Sequence, residues 1–275
     1  MRGRTGCLEL PGAMLAVYRL SEDEIVLFDS GREASPELLE WLEEQHLRVN
    51  AVVCTHLHED HIANNAALVK QHGAQIYASA KEIEDVATER FADPLQYAVT
   101  PIGADVLEIG GAQFRLLPTA GHTAGHLAFV TPDDVCCVGD AIMTHGPLEK
   151  SKIPYMDDVD GSIVSAELLR QSDYPLYVVA HAGVVSREEL SDLVEENIQK
   201  ELELYDLLRR QIPEPTELEV VTDRFIRAAG VQSQKMLETD YVRHTAKVRI
   251  FALVRAGEFA LENGWIVPLK PDKKV

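Results

Sequence analysis

Cations are scarce in this chain. Its 275 residues carry 26 Lys and Arg against 45 Asp and Glu, a formal charge of -19. Such a field repels phosphate backbones and anionic lipid, so neither nucleic acid nor a membrane surface is an expected partner. Aromatic residues are sparse at 6%, but 46% of the chain is hydrophobic, enough to bury one large domain or one domain plus a smaller one. No apolar run is long enough to span a bilayer. The N-terminal MRGRTGCLELPGAML lacks a long apolar region and a small-residue cleavage site, so we expect no export signal and a cytoplasmic protein. The cysteines Cys7, Cys54, Cys136 and Cys137 form no C-x-x-C pair. They read as free thiols filling a core, with Cys136 and Cys137 on opposite faces of one strand. No G-x-S-x-G elbow is present to supply a serine nucleophile.

The chain is instead rich in strands that end on ligating residues. Branched apolar runs predict strands over 13–20, 24–30 and 48–56, and AQIYAS predicts another. HLAFVT, DVCCVGD and 175–181 continue the series, and residues 104–118 hold two short strands around Gly110-Gly111. Helices are expected from Ser35, as N-cap with Pro36 behind it, over ANNAALVKQHG and AKEIEDVATERF, and over GSIVSAELLRQS. Ser186 and Glu189 form a capping box for a helix reaching about residue 211, ahead of Pro213 and Pro215. Beyond residue 216, ELEVVTDRFIRAAG and TDYVRHTAKVRIFALVRAGEFALENG look helical, with WIVPL a short strand. The division is a mixed α/β region over 1–195 and a small helical C-terminal region over 196–275.

THLHEDH (55–61) places three histidines and two carboxylates in seven positions. In H-x-H the two side chains share one side of an extended segment, so His56 and His58 can grip one ion. Asp60 and His61 follow where the chain turns toward a helix, which aims them at a second point. Two adjacent ions suit this segment better than one. PTAGHTAGH (118–126) adds His122 and His126, VGD adds Asp140, and VVAHAG adds His181. Each lies where a strand finishes, the usual place for a site on a rigid scaffold.

H-L-H-E-D-H, G-H-T-A-G-H, V-G-D and A-H-A-G, in this order, resemble the metallo-β-lactamase superfamily over residues 1 to about 195. The resemblance implies an α/β (α+β) fold, a four-layer αβ/βα sandwich with the metals at one edge of two β-sheets. It implies one metal on His56, His58 and His122, a second on Asp60, His61 and His181, and Asp140 bridging them, with His126 in support. Ala182 follows His181 where many relatives have glycine. Two divalent ions are expected, zinc first, with iron or manganese accepting the same ligands.

The activity so implied is hydrolysis. A metal-bridging hydroxide held at Asp140 attacks a small-molecule ester, thioester or lactone, with Asp60 orienting it or passing on its proton. H-x-H-x-D-H is typical of glyoxalase II-type thioesterases and lactonases. Persulfide dioxygenases resemble the pattern too, using one iron on the equivalents of His56, His122 and Asp140. Phosphodiesterases and nucleases of the same superfamily form a further alternative. Tyr155 and His145, in the long segment after Asp140, are candidate substrate-binding residues. His46 and His72 fall at helix ends and suit the dipole there. His244, among Arg243 and Lys247, reads as a surface or packing residue. The C-terminal region, whose last segment resembles the end of a winged-helix unit, is expected to cap the site or to form a homodimer.

Overall fold

The structure, a computed structural model, describes residues 2–32, 36–87, 95–103, 105–233 and 239–269. Two six-stranded sheets form its centre. The first runs in the order β1 (Thr5–Leu10), β2 (Ala13–Arg19), β3 (Glu24–Phe28), β4 (Arg48–Val53), β5 (Gln75–Ser79), β6 (Val99–Ile102). Its first three strands are antiparallel, and β3 to β6 run parallel. The second runs from β7 (Val106–Ile109) and β8 (Ala112–Pro118) through β9 (Leu127–Val130), β10 (Val135–Gly139) and β11 (Leu176–Val179) to β12 (Gly183–Ser186). Only β10 and β11 are parallel there.

Strand periodicity builds the layers. Along β2 and β3, Leu15, Val17, Ile25 and Leu27 face outward to helices α1 (Pro36–Glu44) and α3 (Asn65–His72), meeting Leu38, Leu42 and Leu68. The alternate residues Ala16, Tyr18, Val26 and Phe28 face inward to Phe114 and Phe129 of the second sheet. On β10, Cys137 joins this inner layer while Cys136 faces out toward Ala166, Leu169, Leu190 and Val194. Those four lie on α6 (Val159–Gln171) and α7 (Arg187–Arg209). Helix, sheet, sheet and helix thus stack as the expected four-layer sandwich. Among the described residues no helix is long and apolar enough to cross a membrane.

The sheet edges and the C-terminal region depart from expectation. The edge strands β1, β6 and β12 carry weak alternation and were not anticipated. Near the C-terminus the helix expected to run to residue 264 stops at Arg255, as α9 (Asp240–Arg255). Phe259–Glu262 is instead strand β14, paired with β15 (Trp265–Pro268). Asn263 and Gly264 both take positive φ, 51° and 85°, which is the two-residue hairpin turn that Asn-Gly favours. With β13 (Thr216–Glu217) these form a three-stranded sheet beside α8 (Leu218–Ala228) and α9. The C-terminal region is therefore helical and β together. The Ser35 cap and the end of the helix begun at Ala80 lie outside the described residues.

Helix α7, opened by the Ser186–Glu189 capping box, runs through residue 195 without a break. Its first half packs on the second sheet. Its second half shares a core with α8, α9 and the segment 153–159, through Leu204, Tyr205 and Leu208. That segment is pinned by a buried ion pair. Arg249 is fully buried and binds Glu201 through Nε and Nη2, at 2.9 and 2.6 Å. It also donates to the carbonyls of Thr245 and Pro154, at 2.9 and 3.0 Å. Thr245 Oγ1 donates to Pro154 O and accepts from Met156 N. Replacing Arg249 by Met leaves the Glu201 carboxylate buried and alone, which costs about 3–5 kcal/mol. Urea unfolding of Arg249→Met should show that loss, and Arg249→Met/Glu201→Leu should recover much of it. A single variant within about 1 kcal/mol of wild type contradicts the role given to the pair.

Candidate metal centre

Four strands from two sheets deliver side chains to one edge of the sandwich. Because β3 and β4 are parallel, Asp29 and Thr55 emerge side by side; because β10 and β11 are parallel, so do Asp140 and His181. The sheets are tied there by Leu127 N donating to Thr55 O at 3.0 Å and Met14 N to Ala180 O at 2.5 Å. Glycine is required at two crossings. A Cβ on Gly139, whose φ is 54°, would lie 2.6 Å from Thr55 Oγ1 and 2.7 Å from His126 Nε2. One on Gly125 would lie 2.5 Å from Ser79 Oγ and 2.8 Å from Glu82 Oε1.

His56, His58 and His122 converge, as do His56, His61 and Asp140, and Asp60, His61 and His181; within each trio the ligating atoms lie within 4.8 Å of one another. All seven residues predicted as ligands are therefore together. Asp140 sits between the trios, with Oδ2 3.5 Å from His61 Nε2 and 3.6 Å from His122 Nε2, and Oδ1 3.4 Å from His181 Nε2. Asp60 Oδ2 is 3.5 Å from His181 Nε2. Asp60 and His61 lie on a single helical turn, α2 (Glu59–Ile62), rather than in a turn ahead of the helix.

Hydrogen bonds around the rim decide where the imidazole protons go. His61 Nδ1 donates to Asp29 Oδ2 at 2.9 Å, His122 Nδ1 to Tyr155 O at 3.2 Å, and His181 Nδ1 to Gly12 O at 2.8 Å. Thr55 Oγ1 donates to Asp29 Oδ2 and so accepts from His56 Nδ1 at 3.0 Å. Each of these rings spends its Nδ1 proton outward and turns its Nε2 inward. His122 Nε2 then faces His58 Nδ1 at 3.0 Å, and His61 Nε2 faces His181 Nε2 at 3.1 Å. His56 Nε2 is buried with no hydrogen-bond partner among the described residues. Ring nitrogens paired this closely, and one buried with nothing to meet, fit cations at the centre of each trio.

Electrostatics divide the rings. Burial, helped by the neighbouring histidines, holds His56 well below the ordinary histidine range and brings His58 down to about 3. Burial also lowers His122. These three are neutral, the form that ligates. Burial pushes His61 down too, but the Asp140 and Asp29 carboxylates outweigh it and raise it well above its usual value. A hydrogen bond to Asp140 raises His181. Asp140 itself, despite burial, is held well below the usual carboxylate range by His61, His181 and His122. Its negative charge is thus fixed at the centre of the cluster.

The supporting residues are partly those expected. His126 accepts from Asp140 N at 3.2 Å and contacts Thr119 Oγ1 at 2.8 Å, so it fixes the backbone that carries Asp140. Ala182 is exposed, and its N–H bonds Val179 O, so it does not obstruct His181. His145 is not at the cluster: it is exposed on α5 (His145–Lys150) and pairs with Glu196 of α7 at 3.3 Å. Tyr155 is at the cluster, its ring edge-on to His58 and His122 at 5.1 and 5.5 Å, but its hydroxyl donates to Asp157 Oδ1. His244, expected to lie apart, bonds the same carboxylate oxygen at 2.8 Å.

Two carboxylates escaped the sequence reading. Asp29 takes a left-handed conformation, φ 61°, and accepts from Thr55 N, Thr55 Oγ1 and His61 Nδ1. Glu82, on α4 (Ala80–Ala87), accepts from Leu57 N, Gly125 N and Thr123 Oγ1 and so joins the two histidine-bearing loops. An acid just past the strand EIVLF was a faint signal for Asp29; nothing local marks Glu82.

A partly buried cluster of five histidines and two aspartates, at the edge of an αβ/βα sandwich, defines a class of metal-site protein. Residues 12–181 match the sequence profile of the metallo-beta-lactamase superfamily, and the chain belongs to that family. It is 31% identical over 131 residues to a hydroxyacylglutathione hydrolase of Idiomarina loihiensis, covering 48% of this chain and 47% of that protein. The chain thus spans about half the length of that relative. A hydroxyacylglutathione hydrolase of Aliivibrio salmonicida is 25% identical over 242 residues, 86% of this chain and 90% of that one. In fold, a metallo-beta-lactamase family protein from Thermus thermophilus matches over 97% of each chain, with a TM-score of 0.71 at 17% identity.

Asp29→Ala strips His61 of the acceptor that turns its Nε2 inward. It should weaken zinc binding by about 10–100-fold, measured by competition with a chromophoric chelator. An unchanged affinity contradicts the orienting role.

Proposed function

We propose that the protein is a hydrolase dependent on two divalent metal ions, acting on a small-molecule thioester, ester or lactone. The observation that carries this is the pair of trios around Asp140, each turning its ligand atoms to a common centre. His56, His58 and His122 would hold one ion, and Asp60, His61 and His181 the other, with Asp140 shared. Zinc, iron and manganese all accept this donor set. When bound, such a pair supplies Lewis acidity and brings the pKa of a shared water toward ~7.

The chain's own residues supply the rest. Asp60 is the most open of the seven ligands, with its side chain 40% exposed, and can orient an attacking water or take its proton. Asp29, Tyr155 O and Gly12 O keep the ligand rings in one tautomer. The thioesterase reading is supported by the hydroxyacylglutathione hydrolases to which the chain is similar. The acidic surface favours a small substrate over nucleic acid.

A hydroxyacylglutathione thioester tests the reading. The zinc-loaded protein should release thiol, a chelator should abolish the release, and zinc should restore it. Asp60→Asn should lower kcat by about 10²–10⁴-fold. Activity that survives the chelator contradicts the proposal. Oxygen consumption with a persulfide and one bound iron, in place of thiol release, would turn it to the dioxygenase alternative.

A further inference from the structure

The C-terminal region brings an aromatic side chain to the centre that the chemistry above leaves unused. Tyr155 lies flat against α9, stacked on Tyr241 at 4.7 Å and 23° and on His244 at 5.6 Å and 26°. Tyr241 and His244 are three residues apart, so they share one helix face. Its other contacts are with the ligand rings His58 and His122. Tyr155 is fixed: it is 7% exposed, its hydroxyl donates to Asp157, and its carbonyl accepts from His122. It has no proton to offer a substrate.

Tyr241 is different. It is 55% exposed, and its hydroxyl has no hydrogen-bond partner among the described residues. Burial of its inner side, together with the Asp140 and Asp60 carboxylates, pushes its phenol up to about 12, so the ring stays uncharged. One ring removed from two metal ligands, it offers an open aromatic surface on a rigid base. The helix around it offers no spare positive charge. Arg243 and Lys247 are tied to Glu219, Arg249 to Glu201, and Arg255 to Asp158 and Asp160. Of the charged side chains acting on the Tyr241 ring, the Asp140 and Asp60 carboxylates outweigh the Arg249 guanidinium, so a flat neutral group suits this platform better than an anionic one.

We propose that Tyr241 is the specificity-determining residue of the active site, its open ring binding the flat, apolar acyl group of the substrate. The proposal rests on the hydrolase reading. It predicts a preference for arylacyl over acetyl thioesters.

The test compares phenylacetyl and acetyl thioesters of one thiol, with wild type, Tyr241→Phe and Tyr241→Ala, all zinc-loaded and checked for equal zinc content. Calorimetric binding of phenylacetate to the same proteins gives a second readout. Wild type should favour the phenylacetyl thioester by about 10-fold or more in kcat/KM. Tyr241→Phe should keep that preference. Tyr241→Ala should lose it, mainly through KM, and should bind phenylacetate about 10-fold more weakly. A wild type without preference, or a Tyr241→Ala that keeps it, overturns the proposal. If neither is cleaved while a hydroxyacylglutathione thioester is, the hydrolase reading stands and the proposal is overturned; if none of the three is cleaved, the thioesterase reading fails, and equal phenylacetate binding by wild type and Tyr241→Ala overturns the proposal on its own.

Discussion

The arrangement depends on histidine ring nitrogens that are held within hydrogen-bond distance of one another. His122 Nε2 stands 3.0 Å from His58 Nδ1, and His61 Nε2 stands 3.1 Å from His181 Nε2. Two such nitrogens cannot both be bare at that distance without repulsion, so a proton or a metal ion must lie between them or against them. The rings cannot swing away to relieve it, because most of their outer nitrogens are bonded to Asp29, Thr55, Tyr155 O and Gly12 O. A cation in each trio turns this repulsion into coordination. Without one, the protons raised onto His61 and His181 by Asp140 are the remaining relief.

The fold serves that constraint. Parallel pairs β3–β4 and β10–β11 bring neighbouring strand ends to the same edge, one pair from each sheet. Buried carboxylates lock the loops between them, Asp29 under the H-L-H-E-D-H segment and Glu82 between it and the G-H-T-A-G-H segment. The C-terminal region works at one remove. Arg249 and Thr245 hold Pro154, the next residue's carbonyl holds His122, and so a helix about 120 residues further along the chain helps orient a ligand.

Much of this was legible in the sequence, because ligating residues cluster locally. His56, His58, Asp60 and His61 declare themselves within seven positions, and His122, Asp140 and His181 each close a strong strand pattern. The layers follow from the same alternation, as with Cys136 and Cys137. What was hidden depends on distant partners. Glu82 looks like any acid in an amphipathic helix, and only the fold brings Leu57 and Gly125 to it. His244 and Tyr241 sit among helix-surface residues, and their contact with Tyr155 crosses about 90 positions. His145 was misplaced because closeness in sequence to Asp140 says nothing of the direction of α5. The β14–β15 hairpin did carry a local signal, Asn263-Gly264, which the strong helical pattern before it masked.

The central claim is that Asp140 stands between two cation sites. Elemental analysis of protein purified without chelator or affinity metal tests it most directly. The account predicts about two divalent ions per chain, falling to about one when Asp60 and His181 are replaced together. A single ion in the wild-type chain, or none after reconstitution, would contradict it.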